Sequence, residues 1–308
     1  MSMNVIRAAG GWNPEGRSVC AAIGVFDGLH LGHQLILRRI TREARAAKGV
    51  ALVVTFDRHP NAVVAPERTP ELIYPLSKKL RTLESLGVDV TRLICFDKAF
   101  SAQPAEDFVR ALASEAGRLQ SVCVGEGFTF GNRRRGNVPL LREMGAALKF
   151  SVHAMEAAAL DGEPVSSTRV RQAIREGGFD LAARLLGRPY ALCGPVICGE
   201  QLGRALGFPT ANLDVAGVVT PPAGVYAATA EVGGKSCRAA VNVGGRPTVD
   251  KVARLHVEAH LLDFAGDIYG EELELTFLRK VRDEQKFPSL EALRAQIAAD
   301  IAGVRALP

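Results

Sequence analysis

Two apolar runs, Val19 to Val25 and Val50 to Phe56, bracket a loop punctuated by Gly24, Gly28 and Gly32 and a stretch of helical spacing. Few folds accept that order. Ile36 and Ile40 fall one turn apart, Arg38, Arg39, Arg42 and Arg45 take the other faces, and Gly49 ends the pattern. Strand, glycine loop, helix, strand is one βαβ unit, and such units build a parallel sheet. The alternation continues, with strands expected near residues 19, 50, 91, 121 and 150. Helices are expected over Lys78 to Leu86, capped by Ser77, and over Pro104 to Ala116 and Pro139 to Leu148. This half therefore reads as α/β, a doubly wound parallel sheet whose ligands collect at the carboxyl ends of its strands.

After a helical stretch from Ser166 to Leu186 the pattern changes. Short β-type runs follow at Tyr190 to Ile197, Gly224 to Val232, Ser236 to Val243, Leu255 to Leu262 and Glu272 to Leu278. Turns at Gly233-Gly234 and Gly244-Gly245 separate them, which predicts an antiparallel β-barrel. A last helix opens at Pro288-Ser289, with Leu290, Leu293, Ile297 and Ile301 as its inner stripe. The boundary is placed at Gly187, giving domains 1–186 and 187–308 in a chain of 308 residues. Six cysteines without a CxxC pair point away from metal and disulfide roles and toward a reducing cytoplasm, and Cys20, Cys95 and Cys123 lie in apolar runs that read as core. The N-terminus lacks a signal-peptide apolar region, and no apolar run reaches membrane length. A net charge of +5 suits phosphate-rich ligands, whereas dispersed basic residues and 6% aromatics do not call for nucleic acid.

The glycine loop places His30 and His33 at a helix N-terminus, where free N–H groups and the dipole favour phosphate. Two imidazoles three apart around Gly32 can reach one small volume and stabilise charge on phosphorus. His59, in Thr55-Phe56-Asp57-Arg58-His59-Pro60, ends the second strand beside that loop. Phe128 and Phe130, with glycines and Arg133, Arg134 and Arg135, offer rings and cations to a flavin or adenine plane and its phosphates. Ser166, Ser167 and Thr168 open a helix on which Arg171 follows, so that hydroxyls, N–H groups and a guanidinium converge on phosphate oxygens. In the second half, Gly199, Gly203 and Gly207 leave amides open to phosphate, and Thr210 and Asn212 supply hard oxygens for Mg²⁺. In the strand Leu255 to Leu262, His256, Glu258 and His260 share the polar face.

The string GVFDGLHLGH, residues 24–33, resembles the HxGH signature of the nucleotidyltransferase superfamily and, in its longer form, the bacterial bifunctional riboflavin kinase/FAD synthetase family. TF-x-x-HP at 55–60, the glycine-rich stretch 124–137 and S-S-T-x-x-R at 166–171 are similar to further motifs of that family. So is the stretch 194–213, close to the flavokinase signature G-x(3)-G-R-x-LG-FPTAN. VN-x-G-x-x-PT at 241–248 and DF-x-GD-x-YG at 263–270 follow, and the resemblance runs in order from about Ser18 to about Val304. It implies a Rossmann-like nucleotidyltransferase domain followed by a flavokinase-type barrel closed by a helix.

The resemblance assigns Gly24, Phe26, Asp27, Gly28 and Gly32 to the nucleotide, Asn242 to the flavin cleft, and Glu258 as the kinase base. It implies that the chain phosphorylates riboflavin with ATP-Mg²⁺ to FMN, then adenylylates FMN to FAD and pyrophosphate. The implied partners are riboflavin, FMN and ATP, with no membrane or nucleic acid. Two departures stand out: Gly127 occupies a position usually Asp or Asn, and Asn137 a position usually Asp. They leave open a second reading, a riboflavin kinase whose N-terminal half binds flavin or regulates. HxGH-type loops also occur in class I aminoacyl-tRNA synthetases, a reading in which the flavokinase string has no place.

Overall fold

In the computed structural model, residues 2–7, 12–199, 203, 206–246 and 254–307 are described. The chain divides into two compact units, one of residues 1–72 and 76–167, the other of 73–75 and 168–308.

The first unit is a six-stranded sheet in the order β1-β4-β3-β2-β5-β6. Its strands are β1 (Asn4–Ile6), β2 (Val19–Ile23), β3 (Val50–Phe56), β4 (Val90–Ile94), β5 (Leu119–Gly125) and β6 (Ser151–Met155), and every pairing is parallel. The helices are α1 (Leu31–Ala46), α2 (Asn61–Val64), α3 (Leu76–Ser85), α4 (Lys98–Ser101), α5 (Ala105–Ala116) and α6 (Val138–Leu148). β2 is buried along its whole length because two separate cores cover its faces. Val19, Ala21 and Ile23 belong to the core with Val109 and Leu141, and Cys20 and Ala22 to the core with Leu37 and Ile40. Burial on both faces is why β2 and β3 read as continuous apolar runs rather than alternating ones. The chain progresses from β2 to β3 and β4 on one side, then returns to place β5 on the other. That reversal puts a switch point at the carboxyl ends of β2 and β5, where such sheets bind ligands.

Several expectations shift. β1 is an additional edge strand. Ser77 lies inside α3 instead of capping it, because the chain turns helical directly after Pro75. α6 starts earlier than expected, and its cap is Asn137, whose side chain accepts from Leu140 N at 3.0 Å. Cys95 is exposed, since the chain leaves the sheet after Ile94. A two-stranded ribbon, β7 (Ala159–Leu160) with β8 (Glu163–Pro164), precedes the helices that follow.

Those helices, α7 (Ser167–Arg175) and α8 (Phe179–Leu186), are separated at Gly177 and Gly178. The second unit then closes a barrel in the order β10-β13-β12-β11-β14-β9. Its strands are β9 (Ala191–Ile197), β10 (Ala211–Leu213), β11 (Gly224–Val232), β12 (Lys235–Arg246), β13 (Arg254–Leu261) and β14 (Glu272–Arg282), all antiparallel. Gly233-Gly234 forms the expected two-residue hairpin, with φ of 55° and 74°. Gly244-Gly245 does not turn. Both lie within β12 and pair with His256 and Leu255 of β13, so the ladder continues through them.

The C-terminal helix, Leu290–Arg305, is capped by Ser289, which accepts from Ala292 N at 3.2 Å. Its inner stripe is Ile297, Ile301 and Val304 against Ala227 and Leu262. Leu290 leaves that stripe at 58% exposure, and Leu293 turns to a cavity of the barrel.

An aromatic stack joins α8 to the barrel. Phe179 lies parallel to Phe277 at 5.1 Å and edge-on to Tyr226 at 5.7 Å, and Tyr190 lies parallel to Phe277 at 6.0 Å. A fragment beginning at Gly187 would lose Phe179 and the buried Leu185 and Leu186. We expect a fragment from Thr168 to be the more stable, by at least the roughly 2 kcal/mol that truncating one buried leucine costs. Urea midpoints of the two fragments check this, and equal midpoints would remove α8 from the barrel's folding unit.

Candidate functional site

The chain between β2 and α1 crosses the carboxyl edge in a strained path. Phe26, Gly28 and Leu29 all have φ between 48° and 75°, the left-handed region that residues other than glycine enter at a cost. Side-chain hydrogen bonds help to hold it there. Thr55 Oγ1 donates to Val25 O at 3.1 Å, Gln34 Nε2 to Leu29 O at 2.9 Å, and Ser167 Oγ to Asp27 O at 3.0 Å. The Phe26 side chain is 1% exposed and meets the His33 ring edge-on at 5.3 Å, so it supports the histidine from below. Asp27 is buried beside it.

His30 occupies the N-cap of α1, and its ring stacks on that of His33 at 3.7 Å and 20°. A Cβ on Gly32 would stand 3.2 Å from the His30 ring, tighter than an ordinary contact, so a side chain there would press on the stack. His30 is buried and His33 half-buried. Two imidazoles and the first N–H groups of a 16-residue helix thus share one end of the helix.

Beside this loop, a cavity of about 610 Å³ opens at the switch point. Gly24 and Val25 line it from the β2 loop, Phe56 and His59 from the end of β3, and Phe96 and Phe100 from the segment after β4. Phe128, Phe130, Arg133 and Arg134 line it from the segment after β5. Phe128 and Phe130 stack at 5.2 Å and 14°. Phe130 is held by reciprocal backbone bonds with Gly136 at 3.0 and 2.9 Å. His59 Nδ1 accepts from Asn61 N at 3.1 Å, which places its ring hydrogen on Nε2. Phe56, Phe96 and Phe100 pack against one another at 5.3–6.0 Å. Phe56 lies in the 55–60 motif, but Phe96 and Phe100 follow β4 and belong to no motif, so only the fold brings the three rings together. Gly127 is exposed, and nothing lies within 4 Å of where its Cβ would be.

Ser166 and Ser167 fall in the first unit, while Thr168 and Arg171 continue α7 within the second, where Arg171 is buried.

In the barrel the register gathers the remaining candidates. Asn212 of β10 lies opposite Glu258 of β13, which lies opposite Asn242 of β12. Asn242 in turn lies opposite Val225 of β11, and Val225 opposite Arg282 of β14. Residues directly opposite share a face. All five, with Gly203 and Thr210, line a cavity of about 380 Å³ beneath the C-terminal helix. Their neighbours Val241, Val243, Val257 and Ala259 point the other way and are buried in the barrel. A Cβ on Gly199 would fall 2.3 Å from Asn212 Nδ2, so only glycine lets that strand end lie against the asparagine. Gly207 has φ of 91°, which fixes the turn into Phe208. Glu200, Gln201, Leu202, Arg204 and Ala205 of the same signature, and Pro247 and Thr248, lie outside the described residues.

Two supports of this cavity were invisible in sequence. The Arg282 guanidinium forks onto Asp300 of the C-terminal helix, with Nε 3.1 and 3.0 Å from the two carboxylate oxygens and Nη2 2.8 Å from Oδ2. Gln296 donates to the same carboxylate at 2.8 Å. His260 Nδ1 lies 2.8 Å from Pro209 O, and the ring meets Phe208 edge-on, which pins the segment leading to Thr210. Among the described residues no group of three or more His, Cys, Asp or Glu is placed to hold a metal ion.

The comparisons with known proteins divide the chain in the same order. The sequence model of the FAD synthetase family matches residues 13–169, and that of the riboflavin kinase family residues 186–307. A bifunctional riboflavin kinase/FMN adenylyltransferase of Pseudomonas fluorescens is 40% identical over 306 residues, covering 99% of this chain and 98% of the relative. One from Escherichia coli (strain K12) is 38% identical over 279 residues, covering 90% and 89%. A crystal structure of a macrolide-efflux protein from Streptococcus pneumoniae matches with a TM-score of 0.81 at 29% identity, covering 99% of this chain and 100% of that one. Among the described residues no helix is long and apolar enough to cross a membrane. With both family regions present and relatives aligned along nearly its whole length, the chain belongs to the bifunctional riboflavin kinase/FMN adenylyltransferase family.

Proposed function

We propose that this chain makes FMN from riboflavin and ATP in its barrel, and FAD from FMN and a second ATP in its N-terminal unit. The observation that carries the reading is the row Asn212–Glu258–Asn242, which the register sets side by side in the barrel cavity with Thr210. In the kinase step the ribityl hydroxyl attacks the γ-phosphorus, its proton passes to the Glu258 carboxylate, and the β–γ bridging bond breaks to release ADP. Thr210 and Asn212 are the residues that would hold Mg²⁺. Hard oxygen donors of this kind fit Mg²⁺, which neutralises phosphate charge when bound. Asn242 would contact the flavin. In the adenylyl step an FMN phosphate oxygen attacks the α-phosphorus and the α–β bridging bond breaks, releasing pyrophosphate. His30, His33 and the start of α1 receive the phosphate charge, and the aromatic cavity with Phe128 and Phe130 takes a ring.

The catalytic segments are assigned to residues 1–186 and 187–308, and the partners to small molecules in a reducing cytoplasm. Asn137 caps α6 as an aspartate would, so the departure there leaves the helix start intact. Incubation of the pure chain with riboflavin, ATP and Mg²⁺, followed by chromatography of the flavins, tests the proposal. FMN should appear first and FAD after it. FMN without FAD would leave the chain a kinase with a flavin-binding or regulatory N-terminal unit.

A further inference from the structure

Lys79 belongs to no motif, and on sequence it is one of two adjacent lysines in an amphipathic helix. In the structure its side chain turns inward from α3 to the carboxyl edge of the sheet and is 8% exposed. The ammonium donates to Phe56 O at 2.7 Å and lies 3.4 Å from Thr55 Oγ1 and 3.5 Å from Val25 O. Val25 opens the loop that leads to His30 and His33. Phe56 ends β3, three residues before His59. One ammonium with three donors is thus matched to three acceptors on the two chain segments that bound the site. A buried cation costs free energy that an apolar side chain of the same volume would not. Its placement at this edge suits a role that needs charge.

We propose that Lys79 is a positioning residue for adenylyl transfer, its ammonium fixing the histidine loop against the end of β3 and giving the phosphate-binding edge a resident positive charge. The proposal rests on the adenylyl-transfer reading of the first unit.

The charged and titratable groups around Lys79 define its pH response. Burial pulls the ammonium down to about 8, against the opposing pull of Asp27 in the loop and Asp57 after β3. Asp57 is itself engaged by Arg58 at 3.0 Å and by Phe96 N at 3.0 Å, with the Cys95 thiol near it. Below about pH 8 the ammonium is charged and the latch complete. As pH rises through that value the amine becomes neutral, and FAD formation should fall. Stability should move the other way. An unfolded lysine keeps its proton to about pH 10.4, so between the two values the unfolded chain binds the extra proton and rising pH favours the folded state through this group. An activity loss without a stability loss separates a role for the charge from a merely structural one.

The test uses the full chain and its Lys79→Met and Lys79→Arg variants. FAD formation from FMN and ATP is followed from about pH 6.5 to about pH 9.5, with FMN formation from riboflavin as the control on the same samples. In the wild type, kcat for FAD formation should decline above about pH 8 with a limb that the kinase lacks. Lys79→Met should lower that kcat by about tenfold or more, with KM for FMN within about threefold, and abolish the limb. Lys79→Arg should recover part of the rate and shift the limb out of range, because a guanidinium does not titrate there. Lys79→Met activity within about threefold of wild type, with the limb intact, overturns the proposal. Where Lys79→Met fails to fold, the arginine variant decides, and a limb unchanged in it overturns the proposal as well. FMN but no FAD from the wild type at every pH would sink the adenylyl reading and this proposal with it.

Discussion

Replacing His33 with alanine should cut FAD formation from supplied FMN by about two orders of magnitude or more, the scale on which a lost oxyanion-type donor acts. Riboflavin phosphorylation by the same protein should hardly change. The two imidazoles divide by exposure: His30 is buried at the N-cap, while His33, one half-turn into α1, is the more open ring. Its orientation is set on two sides, by the His30 ring at 3.7 Å and by the edge of Phe26 at 5.3 Å. A donor held in this way needs little reorganisation as charge builds on the α-phosphorus. Alanine removes the donor and leaves the helix start, the glycine loop and the aromatic cavity in place. The check is steady-state kinetics of both activities on one preparation. Equal losses in both would mean that the substitution disturbs the fold and does not act on the chemistry.

The parallel half was legible because its strands are buried on both faces. Val19 to Ile23 and Val50 to Phe56 announce themselves as apolar runs, and Gly49, Gly87 and Gly117 mark helix ends. What escaped was short or tertiary. β1 has three residues and exists because it pairs with β4. β10 hides inside the signature string 207–213, whose residues read as a loop motif. Gly244-Gly245 has the composition of a turn, yet the pairing to β13 carries the strand past it.

The site shows the same division. Residues contiguous in sequence, such as His30 with His33 or Thr210 with Asn212, are visible as motifs. Lys79 is not, because the direction of a lysine on a helix depends on what the sheet edge offers it. Arg282 and Asp300 are eighteen residues apart on different elements, and only the packing of the C-terminal helix brings them together. The alternation of β13 could not say whether Glu258 faces water or a cleft. That was decided by the helix laid over the barrel, which converts the polar face into a cavity wall.

Glu258→Gln should keep the fold and ATP binding while reducing riboflavin phosphorylation by about 10²-fold or more, the contribution of a positioned general base. Glutamine preserves the volume and the hydrogen-bonding reach of the side chain, so the ladder to Asn212 and Asn242 should survive. What it removes is the ability to take a proton from the attacking hydroxyl. The side chains paired beside it do not replace it. Asn212 and Asn242 are amides without basicity, Thr210 is a hydroxyl, and the Arg282 guanidinium is committed to Asp300. His260 shares the face and lines the same cavity, its Nδ1 held 2.8 Å from Pro209 O, which fixes that ring to the loop. FAD formation from supplied FMN should continue, because none of the N-terminal groups assigned to that step is touched. Melting curves of variant and wild type should coincide. Kinase turnover within a few-fold of wild type in the variant would remove Glu258 as the base. Thr210 and Asn212 would then be the residues still assigned to the phosphoryl-transfer site.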